Sequence, residues 1–237
     1  MITIVTWLWR SPEYRSEYTA RHVNALYAQF QLKLKMPHRF VCVTDQPHVA
    51  CETIPLWEGP LSHIQHKNRP NCYRRLLAFR PEIEELFGPR FVSVDIDAVV
   101  IGDLDPLFQP LAEGDVDFKI WGAYTHPTTP YNGSMWGMRA GARRHVWDQF
   151  DPVKSPDEAM RRNFFGSDQA IMSMLLGPKE AVWTQKDGVY GYRTDLRARP
   201  DKLPTDARIV FFHGRKKPWM TEVQSEAPWI AKTGVTY

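Results

Sequence analysis

The run Arg90-Phe91-Val92-Ser93-Val94-Asp95-Ile96-Asp97-Ala98-Val99-Val100-Ile101 constrains this chain more than any other stretch. β-Branched and aromatic residues dominate it, Gly88-Pro89 punctuates its start and Gly102 its end. Such a pattern predicts a strand near the middle of a sheet. Two carboxylates interrupt it. In a strand that continues through them, side chains alternate with period two, so Asp95 and Asp97 project from one face with Cα atoms roughly 7 Å apart. Acids so close are not buried together as anions without a cation, and a hard divalent ion with oxygen ligands is the simplest partner. The plainer reading ends the strand at Asp95 and leaves both acids in a solvated loop. The apolar run resumes at Ala98, which a plain strand end does not need, and this favours a site.

The preceding chain supplies a sheet for that strand. Ile2 to Trp9 is strand-like, and Val23, Leu26, Tyr27, Phe30 and Leu34 recur at helical spacing up to Pro37. Arg39 to Thr44 is a second strand. Strand, helix, strand in this order implies a parallel right-handed crossover, hence an α/β domain with ligands beyond the carboxyl ends of its strands. A helix from Tyr73 through Phe87 leads into the central strand. Further strands are expected at Asp115 to Trp121 and Met135 to Met138, with helices from Gly141 to Phe150 and, behind a Ser167 cap, through Leu176. Trp57 to Pro70, with His63 and His66, and Tyr124 to Pro130 read as loops. Trp7, Trp9 and Trp136 read as core residues on strands.

Size and composition narrow the class. No linker or low-complexity segment divides the 237 residues, so one domain is expected, and a hydrophobic fraction of 43% supports a sizeable core. No apolar run has the length of a membrane span, and the first residues read as a strand and not a leader. Cys42, Cys51 and Cys72 lack metal-ligand spacing and suggest reduced thiols in a cytoplasmic setting. Net charge is only +3 and the basic clusters are scattered, which argues against nucleic acid as a partner.

A second element bears chemistry. Ile209-Val210-Phe211-Phe212 forms a buried strand that delivers His213 to Gly214 and the cations Arg215-Lys216-Lys217. Together the chain offers Asp95, Asp97 and His213 for a divalent metal and glycine-flanked cations for phosphate. Such a site neutralises a departing diphosphate, so the residues alone point to a metal-dependent enzyme acting on a phosphorylated or nucleotide-activated substrate.

Phe91 to Phe108, with its Asp-x-Asp, resembles the DxD strand of family 8 type glycosyltransferases of the GT-A fold. Tyr73-Arg74-Arg75-Leu76 resembles that family's Tyr-x-Arg-Leu helix, Asn132-Gly133-Ser134 its Asn-Ser-Gly segment, Asp168-Gln169 its Asp-Gln pair, and His213 to Trp219 its His...Gly-x-x-Lys-Pro-Trp element. The matches fall in the family's order between about Met1 and Trp219. The resemblance implies a single GT-A-like domain with a Rossmann-like, mainly parallel mixed sheet flanked by helices. Residues 1–110 would mainly bind nucleotide, 111–219 donor sugar and acceptor, and 220–237 would form a tail. It further implies that Asp95, Asp97 and His213 bind Mn²⁺ or Mg²⁺, that Lys217 and Gly214 hold the diphosphate of a UDP-sugar, and that Arg75 contacts the donor. Asp168 and Gln169 would line the donor sugar as the catalytic pair, with Asn132 nearby, and a hexose would pass to a carbohydrate or other hydroxyl acceptor with retention, without a strong enzyme nucleophile. Two departures stand out. His213 precedes Lys217 by four residues where familiar members have six, and Gly133-Ser134 reverses the usual Ser-Gly order.

Three other readings compete. A haloacid-dehalogenase-like phosphatase would use Asp95 as nucleophile and Asp97 as acid and base, but that motif normally opens its domain and a later acidic pair should follow. A glycoside hydrolase could use two carboxylates without needing the His213 to Lys217 element. A non-catalytic carbohydrate-binding protein would employ the tryptophans for stacking on sugars.

Overall fold

A computed structural model describes residues 1–10, 17–59, 61, 72–122 and 126–234. His63, His66 and Tyr124 lie outside them.

Strand β1 (Ile2–Leu8) is buried along its whole length within a seven-stranded sheet. Its alternation shows why: Ile2, Ile4 and Leu8 face one apolar cluster, Val5 and Trp7 the other. Helix α1 (Ala20–Lys33) lays Leu26 and Phe30 on the first face, and β2 (His38–Thr44) returns parallel to β1, as the sequence predicts. Next come β3 (Glu52–Pro55), a 3₁₀ helix over Tyr73–Phe79, the short α2 (Ile83–Phe87) and β4 (Arg90–Val94). Strand β5 (Ala98–Val100), α3 (Asp105–Glu113), β6 (Phe118–Trp121), β7 (Asn132–Arg139), α4 (His145–Asp148), α5 (Ser155–Arg161) and α6 (Asp168–Leu176) follow. The chain closes with β8 (Ala181–Trp183), β9 (Val189–Gly191), β10 (Ile209–Phe211) and α7 (Thr221–Glu226).

The large sheet runs β3-β2-β1-β4-β7-β6-β8 and is mainly parallel, with β7 antiparallel to both neighbours. A small sheet runs β5-β10-β9. Ile209 and Phe211 of its middle strand join the core beneath β1, whereas Val210 and Phe212 join a third cluster closed by Val223, Ala227 and Trp229. Val223, Ala227, Trp229 and Ile230 therefore pack the segment after Trp219 on the domain. Among the described residues no helix is long and apolar enough to cross a membrane.

The strand expected to run unbroken from Arg90 to Ile101 is two strands. At Asp95 the chain leaves the large sheet, turns through Ile96 and Asp97, and enters the small one at Ala98. Local β propensity is satisfied on both sides of the turn and cannot register the change of partner strands. The solvated-loop alternative also fails, because Asp97 is 4% exposed.

Candidate active site

The turn is clamped at both ends. Asp95 N donates to Ser134 O on β7 at 2.8 Å, and Asp97 O accepts from Phe212 N beyond β10 at 2.9 Å. This geometry sends the two acids to different neighbours.

Asp95 joins the side built by the 3₁₀ helix, β7 and α6. The buried Arg75 guanidinium bridges two acids, donating through Nη1 to Asp95 Oδ1 and lying 2.6 Å through Nη2 from Asp168 Oδ2. The second contact is an ion pair by distance without the direction of a hydrogen bond. Burial pushes both carboxyls above the ordinary range, and Arg75 opposes that shift. Gly133 lies directly against the pair: a β-carbon there would sit 3.0 Å from Arg75 Nη2 and 3.3 Å from Asp168 Oδ2. The reversed Gly-Ser order thus puts glycine where the backbone passes closest to the ion pair. Asn132 is buried and turns Oδ1 inward to accept from Ser134 N at 2.9 Å. Gln169 is half-buried, donating Nε2 to Phe165 O at 2.9 Å. Ser167 precedes α6, yet its hydroxyl does not cap the helix and instead accepts from Cys72 N at 3.1 Å.

Asp97 faces the C-terminal element. Its Oδ2 accepts from Lys217 Nζ and from Tyr18 Oη, the latter at 3.1 Å, while its buried Oδ1 has no hydrogen-bond partner among the described residues. Lys217 is 3% exposed and also donates to Phe212 O at 3.0 Å. Lys217 Nζ also lies over the Tyr18 ring, 5.3 Å from its centroid, and Trp219 backs that ring edge-on while stacking on His22 with centroids 3.9 Å apart. Burial raises the Tyr18 phenol above its ordinary range, and the Asp97 carboxylate adds to the shift. His213 follows Phe212 immediately, its ring edge-on to Trp121 with centroids 5.7 Å apart. Neither ring nitrogen has a hydrogen-bond partner among the described residues. Burial lowers the His213 pKa against the pull of Asp97, so the ring is a neutral, ligand-competent imidazole near neutral pH.

The structure therefore brings the sequence-derived residues to one end of the two sheets, in two groups. Arg75, Asp95, Asn132, Asp168 and Gln169 form one; Asp97, His213, Gly214 and Lys217 form the other. Among the described residues no three His, Cys, Asp or Glu side chains are gathered as a metal-ligand cluster, and Lys217 neutralises Asp97. The donor chemistry nevertheless fits a metal such as Mn²⁺: two carboxylates, one with an orphaned buried oxygen, beside an imidazole with both nitrogens unengaged. A small cleft of about 80 Å³, open to solvent, lies between the groups and is lined by Trp7, Trp9, Tyr18, Arg75, Asp95 and Asp97 among others.

Sequence reasoning missed Tyr18, Ser134 and the cleft-facing role of Trp7 and Trp9. Trp7 is a core residue, meeting Trp57 edge-on at 5.3 Å, and also walls the cleft. Two tryptophans at period two closing a strand were the available signal. Tyr18 had none.

The architecture is that of GT-A type glycosyltransferases. No family model and no curated protein matches the sequence, whereas solved structures do. Galactosyltransferase LgtC, solved with donor and acceptor sugar analogues, is 13% identical with a TM-score of 0.64, over 99% of this chain and 96% of that one. Glycosyltransferase GlyE of Streptococcus pneumoniae TIGR4 is 12% identical with a TM-score of 0.56, over 99% of this chain and 64% of that one. A glycosyltransferase involved in glycosylation of the major capsid of PBCV-1 is 16% identical with a TM-score of 0.51, covering 98% of both chains.

Proposed function

We propose that the chain is a metal-dependent glycosyltransferase that moves a hexose from a UDP-sugar to a hydroxyl acceptor with retention of configuration. One observation carries the reading most directly: two chain segments more than a hundred residues apart deliver a buried carboxylate with an orphaned oxygen, Asp97, and an unpartnered neutral imidazole, His213, to one end of a glycosyltransferase-like fold.

Asp95, Asp97 and His213 would hold Mn²⁺ or Mg²⁺. A bound ion would supply Lewis-acid neutralisation of the diphosphate leaving group. The protein's own contributions are distinct. Lys217, the backbone at Gly214 and Arg75 place fixed positive charge and donors around the diphosphate, an electrostatic preorganisation suited to a leaving group that gains charge. Asp168 holds Arg75 in place from beneath and has no exposed oxygen to spare, while the half-buried Gln169, beside Asn132 and Gly133, is the better placed to meet the donor sugar. Retention then proceeds by same-face attack within an ion pair, with no enzyme nucleophile required. Residues 1–110 would serve chiefly the nucleotide and 111–219 the sugar and acceptor. The phosphatase reading loses support because Asp95, its nucleophile, is ion-paired to Arg75.

The test is hydrolysis of a panel of nucleotide sugars without acceptor, followed by release of nucleoside diphosphate with and without Mn²⁺. Metal-dependent release from one UDP-sugar supports the proposal. Binding without turnover would favour a non-catalytic carbohydrate-binding protein, and phosphate release from simple monoesters would favour a phosphatase.

A further inference from the structure

Behind the proposed diphosphate position lies a basic residue with no assigned role. Arg193 sits in a single π-helical turn, Tyr192–Leu196, that starts where β9 ends. Such turns are rare and concentrate at functional sites. This one is closed by Asp195, whose Oδ2 accepts from Gly191 N at 2.6 Å and whose Oδ1 accepts from Gln185 Nε2 at 2.8 Å. Both oxygens of the acid two positions along the turn are thus engaged elsewhere, and Arg193 forms no ion pair among the described residues.

The Arg193 side chain instead runs beside the glycine turn after His213. A β-carbon built on Gly214 would lie 3.8 Å from both its Cδ and its Nη1. Gly214 has φ of 100°, a conformation that favours glycine, and its missing side chain leaves the backbone open to a ligand. Two of the three cations of this loop are committed, since Lys216 Nζ lies 2.7 Å from Glu226 Oε1 and the buried Lys217 holds Asp97, whereas Arg215 is exposed. Charge balance also calls for a further cation. Asp95, Asp97 and Asp168 outnumber Arg75 and Lys217, and a departing nucleoside diphosphate brings more negative charge than one divalent ion returns.

Resting on the glycosyltransferase reading, we propose that Arg193 is a diphosphate-binding residue of the donor site, acting across Gly214 in place of the reach lost with the shortened His213 to Lys217 loop. It recognises the phosphate nearer the sugar and leaves the nucleoside untouched.

Calorimetric titration of the whole chain and of Arg193→Gln with UDP and with UMP, in the presence of Mn²⁺, tests this. Loss of one charge-assisted contact should weaken UDP about tenfold and UMP less than about twofold, with Arg193→Lys recovering part of the difference. The melting temperature without nucleotide should not change, because Arg193 is exposed. UDP and UMP affinities that stay the same, or fall together, would overturn the assignment and leave the glycosyltransferase reading standing. No UDP binding by the unaltered chain would overturn both.

Discussion

Replacing Arg75 by methionine removes the one cation that Asp95 and Asp168 share while keeping an apolar stem of similar length. The Arg75 side chain is 6% exposed and that of Asp168 4%, whereas Asp95 is 29% exposed and keeps some contact with water. Removing one partner of a buried ion pair costs about 3–5 kcal/mol, and the exposure of Asp95 places this case near about 3 kcal/mol. With a urea dependence of about 3 kcal/mol per molar for a domain of this size, the unfolding midpoint should fall by about 1 M at pH 7. The pH dependence separates electrostatics from lost packing. Without the guanidinium, burial alone acts on both carboxyls, so their folded pKa values rise further above the unfolded value of about 4. The penalty belongs to the charged forms: it is absent below the unfolded pKa and grows as pH rises toward the folded one. Urea unfolding of both chains at about pH 4.5 and about pH 7 should therefore show a smaller deficit in acid, and Asp168→Asn in the variant should recover part of the loss. A deficit independent of pH, or no shift in midpoint, would refute the bridging role of Arg75.

Gly133→Ala would press a methyl group against the same ion pair at 3.0 Å, and should cost about 1–3 kcal/mol in urea unfolding, with weaker donor binding. Full stability and unchanged nucleotide affinity would show that the backbone there is not held. His22, stacked on Trp219, has a pKa lowered chiefly by burial. The unfolded chain then binds protons more readily than the folded one, so stability should decline as pH falls through the unfolded pKa of about 6.5. His213 acts in the same direction. His22→Gln should flatten part of that decline in thermal unfolding followed between neutral and mildly acid pH; an unaltered slope would contradict the assignment.

Much of the scaffold was legible in the sequence, because period-two and helical patterns mark buried faces directly. β1, α1 and β2 fall where those patterns put them. What stayed hidden depends on partners distant in sequence. The apolar run from Arg90 to Ile101 reads as one strand, and only pairing with β7 on one side and β10 on the other reveals the turn at Asp95 to Asp97. The same turn separates the acids, which a single strand would have placed on one face. The Lys217 contact with Asp97 spans 120 positions, beyond any local pattern. Ser167 illustrates a weaker signal: a residue type that often caps helices is used here to hold Cys72 N.

The central claim, that Asp97 and His213 grip one ion, is tested most directly by electron paramagnetic resonance of Mn²⁺ titrated into the protein with UDP present. The unaltered chain should bind one ion, and Asp97→Asn and His213→Ala should each release it while far-ultraviolet circular dichroism stays the same. Equal Mn²⁺ binding by all three proteins would contradict the account.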